Sequence, residues 1–347
     1  MTARERFNNL FGPTPAPIVF PMVAADHAAR RAGRRIRAVV SDAEALAAVL
    51  MQARELYDYD LVMVFADTMI EAEALGCRVC LPEDDNAFLV EPLGHLPWAV
   101  ADPTTAGRMP VVVEATRLIS HSLGSKVPVL ASLKGPFSLA CLILGPEEFL
   151  VCLRADPEAC HAALQFACAN QQRFAEALIA AGGIPFIGDP LASGDILSRQ
   201  DFARFALPYL RELIAQLHVQ TNLVGLHVCG DTSTVIGLLT ETGADFLSLD
   251  EIELSNVRRA LGDGAVLMGN VATQLIVQGS VRDVWAAAHD VLAAVAPRLI
   301  LSSACDIPRD APEENVRALC AALRDHARGT RGAAPGTPAR PVRDEPP

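Results

Sequence analysis

The sequence predicts an α/β fold in which eight parallel strands and their helices close into a (β/α)8 TIM barrel. Eight short apolar runs alternate with helical patterns along most of the 347 residues, as expected of repeated βα units. The runs are apolar throughout, which is typical of parallel strands covered on both faces. Polar residues cluster where most of the runs end, and a barrel gathers these ends at one mouth. A doubly wound open sheet, the competing architecture, would spread them along an edge.

The local composition supports each predicted element in turn. The strands are the runs 18–25, 61–67, 127–135, 183–189, 223–230, 244–250, 265–270 and 298–305. Turn residues follow these runs, and helical patterns cover 42–57, 157–181, 199–219 and 281–296. The second of these helices starts with Asp156 as a cap and Pro157 in its first turn, an arrangement typical of helix starts. An N-terminal helical extension is expected before the first strand.

Two segments depart from this alternation. Residues 78–110 are rich in proline and acidic residues, and so long a connection predicts a lid insertion over the barrel mouth. From about Gly329 the chain is dominated by Gly, Pro, Ala and Arg, which predicts a disordered tail at 329–347. Residues 1–328 are therefore expected to form a single barrel domain.

Composition excludes several classes of protein. The chain has 41 acidic and 29 basic residues, so no nucleic-acid partner is expected, because phosphate binding needs a basic surface. There is no apolar run long enough for a membrane span, and no secretory leader is expected. The nine cysteines are therefore expected to be reduced thiols in a cytoplasmic protein. No Gly-x-Gly-x-x-Gly or Gly-Lys-Ser/Thr motif supports nucleotide binding.

The pair His227 and Cys229 is the sharpest candidate for chemistry. Residues two apart on a strand point to the same face, so an imidazole and a thiolate should face the barrel mouth together. Cys305 ends the last apolar run, and barrel closure can bring it to the same place. Three protein ligands with an open fourth position are typical of catalytic zinc. Glu251 is the candidate for a displaceable fourth ligand, and Asp250 is the alternative.

Other candidates have blander interpretations. One of the two acids after strand six can instead orient the histidine or cap the next helix. Cys77 and Cys80 have a spacing that can serve zinc or redox chemistry, but no second pair exists, and ordinary packing is favoured. The arginines at 30, 31, 34 and 35 predict either a solvated helix end or an anion site. Further strand-end residues are candidates for lining a substrate pocket: Asp67, Asp189 and Asn270.

Four motifs together resemble the uroporphyrinogen decarboxylase superfamily, and more narrowly its methylcobamide:coenzyme M methyltransferase branch. They are His227-Val228-Cys229-Gly230-Asp231, Ser248-Leu249-Asp250-Glu251, Met268-Gly269-Asn270 and Ser303-Ala304-Cys305-Asp306-Ile307-Pro308. The resemblance implies a (β/α)8 barrel with Zn²⁺ held by His227, Cys229 and Cys305. It also implies a methyl donor, either a corrinoid protein or free methylcobalamin, and a small thiol acceptor, with coenzyme M leading.

Two rival functions stay open at this point. A uroporphyrinogen-type decarboxylase needs no metal, and the stretch Arg30-Arg31-Ala32-Gly33-Arg34 is only a partial likeness to the arginine motif of those enzymes. A non-catalytic subunit, stabilised by zinc and bound to a corrinoid partner, is the second rival. Zinc content separates the methyltransferase from the first rival, and product formation separates it from the second.

Overall fold

The computed structural model describes residues 1–332, with side-chain surroundings for residues 1–327. A sheet of eight parallel strands lies at its centre, in the order β1-β10-β9-β8-β7-β6-β5-β2, and β3 and β4 form a separate antiparallel hairpin. The strands are β1 (Ile18–Val19), β2 (Val62–Val64), β3 (Arg78–Cys80), β4 (Phe88–Glu91), β5 (Val129–Lys134), β6 (Ile184–Gly188), β7 (Gly225–Val228), β8 (Phe246–Leu249), β9 (Val266–Val271) and β10 (Leu299–Ser303).

Helices surround the sheet. They are α1 (Ala3–Asn9), α2 (Ala25–Arg31), α3 (Ile36–Val40), α4 (Ala43–Tyr57), α5 (Ile70–Ala74), α6 (Met109–Leu123), α7 (Pro136–Leu144), α8 (Pro146–Ala155), α9 (Pro157–Ala180), α10 (Arg199–Asp201), α11 (Leu207–Leu217), α12 (Ile236–Thr240), α13 (Leu254–Leu261), α14 (Thr273–Gln278), α15 (Val281–Val295) and α16 (Glu313–Gly332). Within the described chain, no single helix is long and apolar enough to cross a bilayer, and α7 with α8 meets that measure only as a pair bent by 105°.

The sheet curls until its two edge strands meet. The backbone N–H of Asp60, just before β2, donates to the carbonyl of Val19 in β1 at 2.8 Å, and Ala25 N–H donates to Phe65 O at 3.1 Å. The Asp60 carboxylate also accepts a bond from Val19 N–H at 2.9 Å. Each of the eight predicted runs overlaps one strand of this sheet, so the predicted barrel is confirmed.

Two element boundaries were predicted wrongly. The first strand ends at Val19, because Pro21 has no N–H to donate and Met22 adopts a positive φ of 46°. The continuous helix predicted over 199–219 is broken by a π-helical turn at Phe202–Ala206. There Leu207 N–H donates back to Phe202 O, and Pro208, which cannot donate, lies in the first turn of α11.

The predicted N-terminal helical extension is α1, and it covers the amino-terminal end of the barrel. Thr2 and Glu5 form a capping box that starts the helix. Phe7 of α1 packs edge-on against Phe246 at a ring distance of 6.0 Å. Phe246 begins β8 and in turn stacks on Phe186 of β6 at 5.8 Å. This aromatic cluster closes the end of the barrel opposite the strand carboxyl ends.

The predicted lid insertion contains the β3–β4 hairpin, which the sequence did not reveal. Its tip is tied to loops at the carboxyl side of the barrel: Arg309 donates to Asp85 at 2.9 Å, and Asn86 donates to Asp26 at 3.3 Å. The insertion therefore lies on the side where the strand carboxyl ends open. Helix α16 runs to Gly332, and residues 333–347 of the predicted tail lie outside the described residues.

Candidate metal centre and pocket

The three predicted zinc ligands meet at the carboxyl ends of β7 and β10. His227 Nε2 lies 3.1 Å from Cys229 Sγ and 3.7 Å from Cys305 Sγ, and the two sulfur atoms are 3.8 Å apart. Cys305 is 76 residues from Cys229 in sequence, so the curl of the sheet is what brings them together. Among the described residues, these three side chains form the group whose donor atoms could share one metal ion.

The spacing of the three donor atoms fits a tetrahedral zinc site. Two sulfur atoms bound to zinc at about 2.3 Å and a tetrahedral angle would be about 3.8 Å apart, and a sulfur and a nitrogen about 3.5 Å apart. The distances found, 3.8, 3.7 and 3.1 Å, lie close to these values. Two soft thiolates with one imidazole are also the ligands that zinc favours.

Ser248 fixes the orientation of the His227 ring. Its hydroxyl lies on β8, in register with His227 on β7, and is 3.0 Å from Nδ1. A proton on Nδ1 that donates to this oxygen leaves the lone pair of Nε2 free to face the two sulfurs. This is the arrangement in which a hydrogen-bonded ring nitrogen sets the tautomer of a metal-binding histidine.

The electrostatics of the group suit a cation. Burial lowers the pKa of His227, but bonding to Cys305 and the charges of Asp250 and Asp306 outweigh it, and the pKa is raised. Hydrogen bonding with Cys229 and burial raise the pKa of Cys305 well above its usual value. A second thiolate beside the first is unfavourable without a positive charge between them, and a bound metal ion supplies that charge.

A cavity of about 200 Å³ opens beside the three ligands, within the barrel mouth. Most of its wall is apolar, and a few polar side chains interrupt it. The apolar part includes Met22, Met63, Phe65, Val112, Phe174 and Phe186, and the polar part includes Asp67, Glu71, Lys134 and Asp306. An apolar pocket with a few polar groups at fixed places is typical of sites for small ligands.

The acids after β8 do not join the three ligands. Glu251 is exposed, and its backbone N–H donates to Gly230 O at 3.1 Å. Asp250 accepts a bond from Gly230 N–H at 2.9 Å, so it holds the turn that follows Cys229. Asp306, which the sequence analysis missed, lies closer, with Oδ1 3.1 Å from Cys305 Sγ. The fourth-ligand role of Glu251 stays a prediction, and the structure offers Asp306 as the nearer carboxylate.

Asp67 lines the cavity, but its carboxylate is already engaged. Arg108, just before α6, pairs with Asp67 and also donates to Glu73 at 2.6 Å. Met69 N–H donates to the same carboxylate at 2.8 Å. These contacts use Asp67 to fix the loop after β2, and they anchor the lid insertion to it.

The other two predicted pocket residues face away from the cavity. Asp189 is fully buried and accepts bonds from Ser138 N–H at 2.8 Å and Phe137 N–H at 3.3 Å, at the start of α7. Burial raises its pKa to about 6. Asn270 donates to the carbonyls of Asp250 at 2.8 Å and Ile252 at 2.6 Å. Asp189 holds a helix start and Asn270 holds the β8 loop, because both strand ends turn these side chains into the protein.

The other cysteine pair and the arginine cluster considered from the sequence lie outside the group of His227, Cys229 and Cys305. Cys77 is buried against the carbonyl of Leu142 at 3.7 Å, and Cys80 lies apart on the hairpin strand β3. Arg30 pairs with Asp310 at 3.4 Å, and Arg35 pairs with Asp84. These arginines line a second cavity at the outer rim. None of them lines the central cavity, and their role in anion binding stays a prediction.

The fold and the three donor side chains define a (β/α)8 protein whose barrel mouth carries a group that could hold one metal ion. The chain belongs to the uroporphyrinogen decarboxylase family, whose model, "Uroporphyrinogen decarboxylase (URO-D)", matches residues 12–326. This result confirms the resemblance drawn from the sequence motifs. Relatives in this family are named for different activities, so similarity to individual relatives adds information.

Individual relatives point to the methyltransferases of the family. A methylated-thiol–coenzyme M methyltransferase of Methanosarcina mazei is 27% identical over 264 residues, which cover 75% of this chain and 71% of that one. A methylcobamide:CoM methyltransferase of the same organism is 26% identical over 295 residues, covering 82% and 86%. Chains named uroporphyrinogen decarboxylase are also among the relatives.

A solved structure shares the fold over nearly its whole length. A methyltransferase from Methanosarcina mazei superposes with a TM-score of 0.86 at 23% identity, covering 94% of this chain and 99% of that one. The similarity confirms the TIM-barrel architecture.

Proposed function

We propose that this protein is a zinc-dependent methyltransferase that moves a methyl group from a methylated corrinoid to a small thiol, with coenzyme M as the leading acceptor. The observation that carries the proposal is the convergence of His227, Cys229 and Cys305 beside an apolar cavity. The names of the methyltransferase relatives support the same reaction class, and the name of the methylcobamide:CoM methyltransferase supports a corrinoid donor. A decarboxylase has no need of this ligand group.

Each residue of the centre has a chemical role in this proposal. His227 and the thiolates of Cys229 and Cys305 hold the metal, and Ser248 keeps the imidazole turned toward it. When bound, zinc holds the acceptor sulfur as a thiolate at neutral pH, where a free thiol is mostly protonated. The two cysteine thiolates balance the charge of the ion, so the acceptor sulfur stays electron-rich.

The cavity contributes binding and exclusion of water. Its apolar wall leaves room for a short thiol beside the ligands, and it keeps bulk water from the sulfur. In the net reaction, the methyl group leaves cobalt without the bonding electron pair, the sulfur forms the new bond, and the thiol proton is released. The donor is large, so it must approach from the open carboxyl side of the barrel. A corrinoid protein and free methylcobalamin both fit that requirement.

The test is demethylation of methylcobalamin in the presence of thiols. We expect the zinc-loaded protein to convert coenzyme M to its methyl thioether, followed by the absorbance change of the cobalamin and by mass spectrometry. The double variant Cys229→Ser/Cys305→Ser should lose about one equivalent of zinc and the activity. Cys80→Ser, a cysteine outside the group, is the matched control.

Two results would contradict the proposal in different ways. Activity in protein stripped of zinc would show that the three ligands do not serve the reaction. Bound zinc without any thioether, from methylcobalamin or from a methylated corrinoid protein, would instead support a non-catalytic subunit that uses the metal for stability.

A further inference from the structure

Three residues at the carboxyl ends of neighbouring strands form one row in the barrel mouth. Lys134 at the end of β5 pairs in register with Gly188 of β6, and Gly188 pairs with His227 of β7. Laterally paired residues of a sheet point to the same face, and all three line the cavity. With adjacent strands about 4.8 Å apart, the Cα atoms of Lys134 and His227 are about 10 Å apart.

Lys134 is a buried lysine that lines the cavity beside the three ligands. Only 7% of the residue is exposed. Among the described residues its ammonium group forms no close ion pair and no side-chain hydrogen bond, although its charge acts on the buried Asp189 carboxylate from farther away. The neighbouring Glu71 carboxylate accepts instead from the Lys134 backbone N–H at 2.6 Å and from Gln171 at 3.1 Å. Because no carboxylate of the described residues contacts this ammonium group directly, the cavity has a place for an anion beside it.

Gly188 leaves an open slot between the cation and the metal ligands. A Cβ built on Gly188 would meet no atom within 4 Å, although both flanking strands pack closely against β6. The slot is therefore free space in the row, bounded by Lys134 on one side and by His227 on the other. A molecule with a sulfur at one end and an anionic group at the other matches these two boundaries.

We propose that Lys134 binds the anionic group of the thiol acceptor and that the space over Gly188 holds the linker between this group and the sulfur. The inference rests on the proposed function, because it takes the sulfur to lie at the His227 group. It restricts the substrate class to short thiols that carry a sulfonate or a carboxylate. The rim arginines are not needed for this recognition, since they line a different cavity.

Binding of three thiols to the zinc-loaded protein tests the proposal by calorimetry. The thiols are coenzyme M, a sulfonate; 3-mercaptopropionate, a carboxylate; and 2-mercaptoethanol, which is neutral. A hydrogen-bonded charge predicts that the anionic thiols bind about 10–100 times more tightly than the neutral one. The order of the two anionic thiols identifies the preferred anion.

Variants of the row assign this preference to its residues. Lys134→Met should abolish the preference for anionic thiols and leave the affinity for 2-mercaptoethanol and the zinc content unchanged. Gly188→Val should weaken all three thiols, because its side chain fills the slot. Lys126→Met, which removes the exposed lysine before β5, is the matched control and should behave as the unmodified protein does.

The outcomes separate this inference from the proposed function. Equal affinity of the unmodified protein for charged and neutral thiols would overturn the role of Lys134, even if methyl transfer occurs. An equal loss for all three thiols in Lys134→Met would also overturn it, because it would indicate a purely structural role. A charge preference that depends on Lys134, found without methyl transfer, would uphold the inference and contradict the proposed function alone.

Discussion

The hydroxyl of Ser248 is the smallest feature on which the proposed metal centre depends. It is fully buried and bonds Nδ1 of His227 at 3.0 Å. Ser248→Ala removes the group that fixes the imidazole, so we expect zinc affinity to fall by about 10–100-fold. Competition with a chromophoric chelator measures the affinity.

Ser302 provides the control for this variant. It is equally buried, on β10, but its hydroxyl has no hydrogen-bond partner. Ser302→Ala should therefore leave zinc affinity unchanged. The same affinity in both serine variants would show that Ser248 does not orient the ligand.

His27 makes stability depend on pH in a way that the sequence pattern did not indicate. It is buried, with its ring between Tyr57 Oη at 2.8 Å and Pro308 O at 3.1 Å. Burial lowers its pKa to about 4, whereas an unfolded chain holds histidine near 6.5. Below pH 6.5 the unfolded chain therefore binds a proton at His27 that the folded protein does not bind. The free energy of unfolding thus decreases as the pH is lowered.

The size of this effect follows from the two pKa values. Between pH 7 and pH 5 the linkage costs the folded protein about 2 kcal/mol. Urea unfolding at both pH values measures the free energy of unfolding of the unmodified protein and of His27→Gln. From pH 7 to pH 5, the unmodified protein should lose about 2 kcal/mol more than the variant. His95→Gln, at an exposed position, is the control. A pH-independent difference for His27→Gln would show that His27 titrates normally.

At the scale of elements, Arg108 joins three parts of the barrel. It precedes α6 and pairs with Asp67 after β2 and with Glu73 on α5, and only 9% of its side chain is exposed. Arg108→Met leaves the Asp67 carboxylate buried without its cation, so we expect a loss of about 3 kcal/mol or more in the free energy of unfolding. Urea denaturation measures it.

A double variant tests whether charge is the cause. Asp67→Leu/Arg108→Met removes both charges, and it should be more stable than Arg108→Met alone. Arg117→Met, which breaks the exposed pair with Glu114, should change stability little. A double variant less stable than the single one would show that Arg108 acts through packing and not through its charge.

At the scale of the whole molecule, the parts predictable from sequence are those with a local signal. The eight apolar runs predicted the strands. The alternation of side chains along a strand predicted that His227 and Cys229 share one face. All strands of a barrel end at its mouth, so Cys305 could be assigned to the same site without knowledge of the strand register. The π-helical turn and the lid hairpin have no comparably simple pattern.

The remaining features depend on pairings between distant segments. Lys134 and His227 share a row only through the register of β5, β6 and β7. Asp189 and Asn270 end their strands as expected, but neighbouring backbone groups draw their side chains away from the cavity. Sequence position alone cannot show which neighbours a strand-end side chain meets, and the pocket prediction depended on that.

X-ray absorption at the zinc edge tests the central claim most directly, because it counts the sulfur atoms bound to the metal. The unmodified protein should contain about one zinc with two sulfur ligands, from Cys229 and Cys305. Addition of coenzyme M should raise the count to three, because the acceptor sulfur joins the ion. A count that stays at two when the thiol is bound, or a protein that takes up no zinc, would contradict the account.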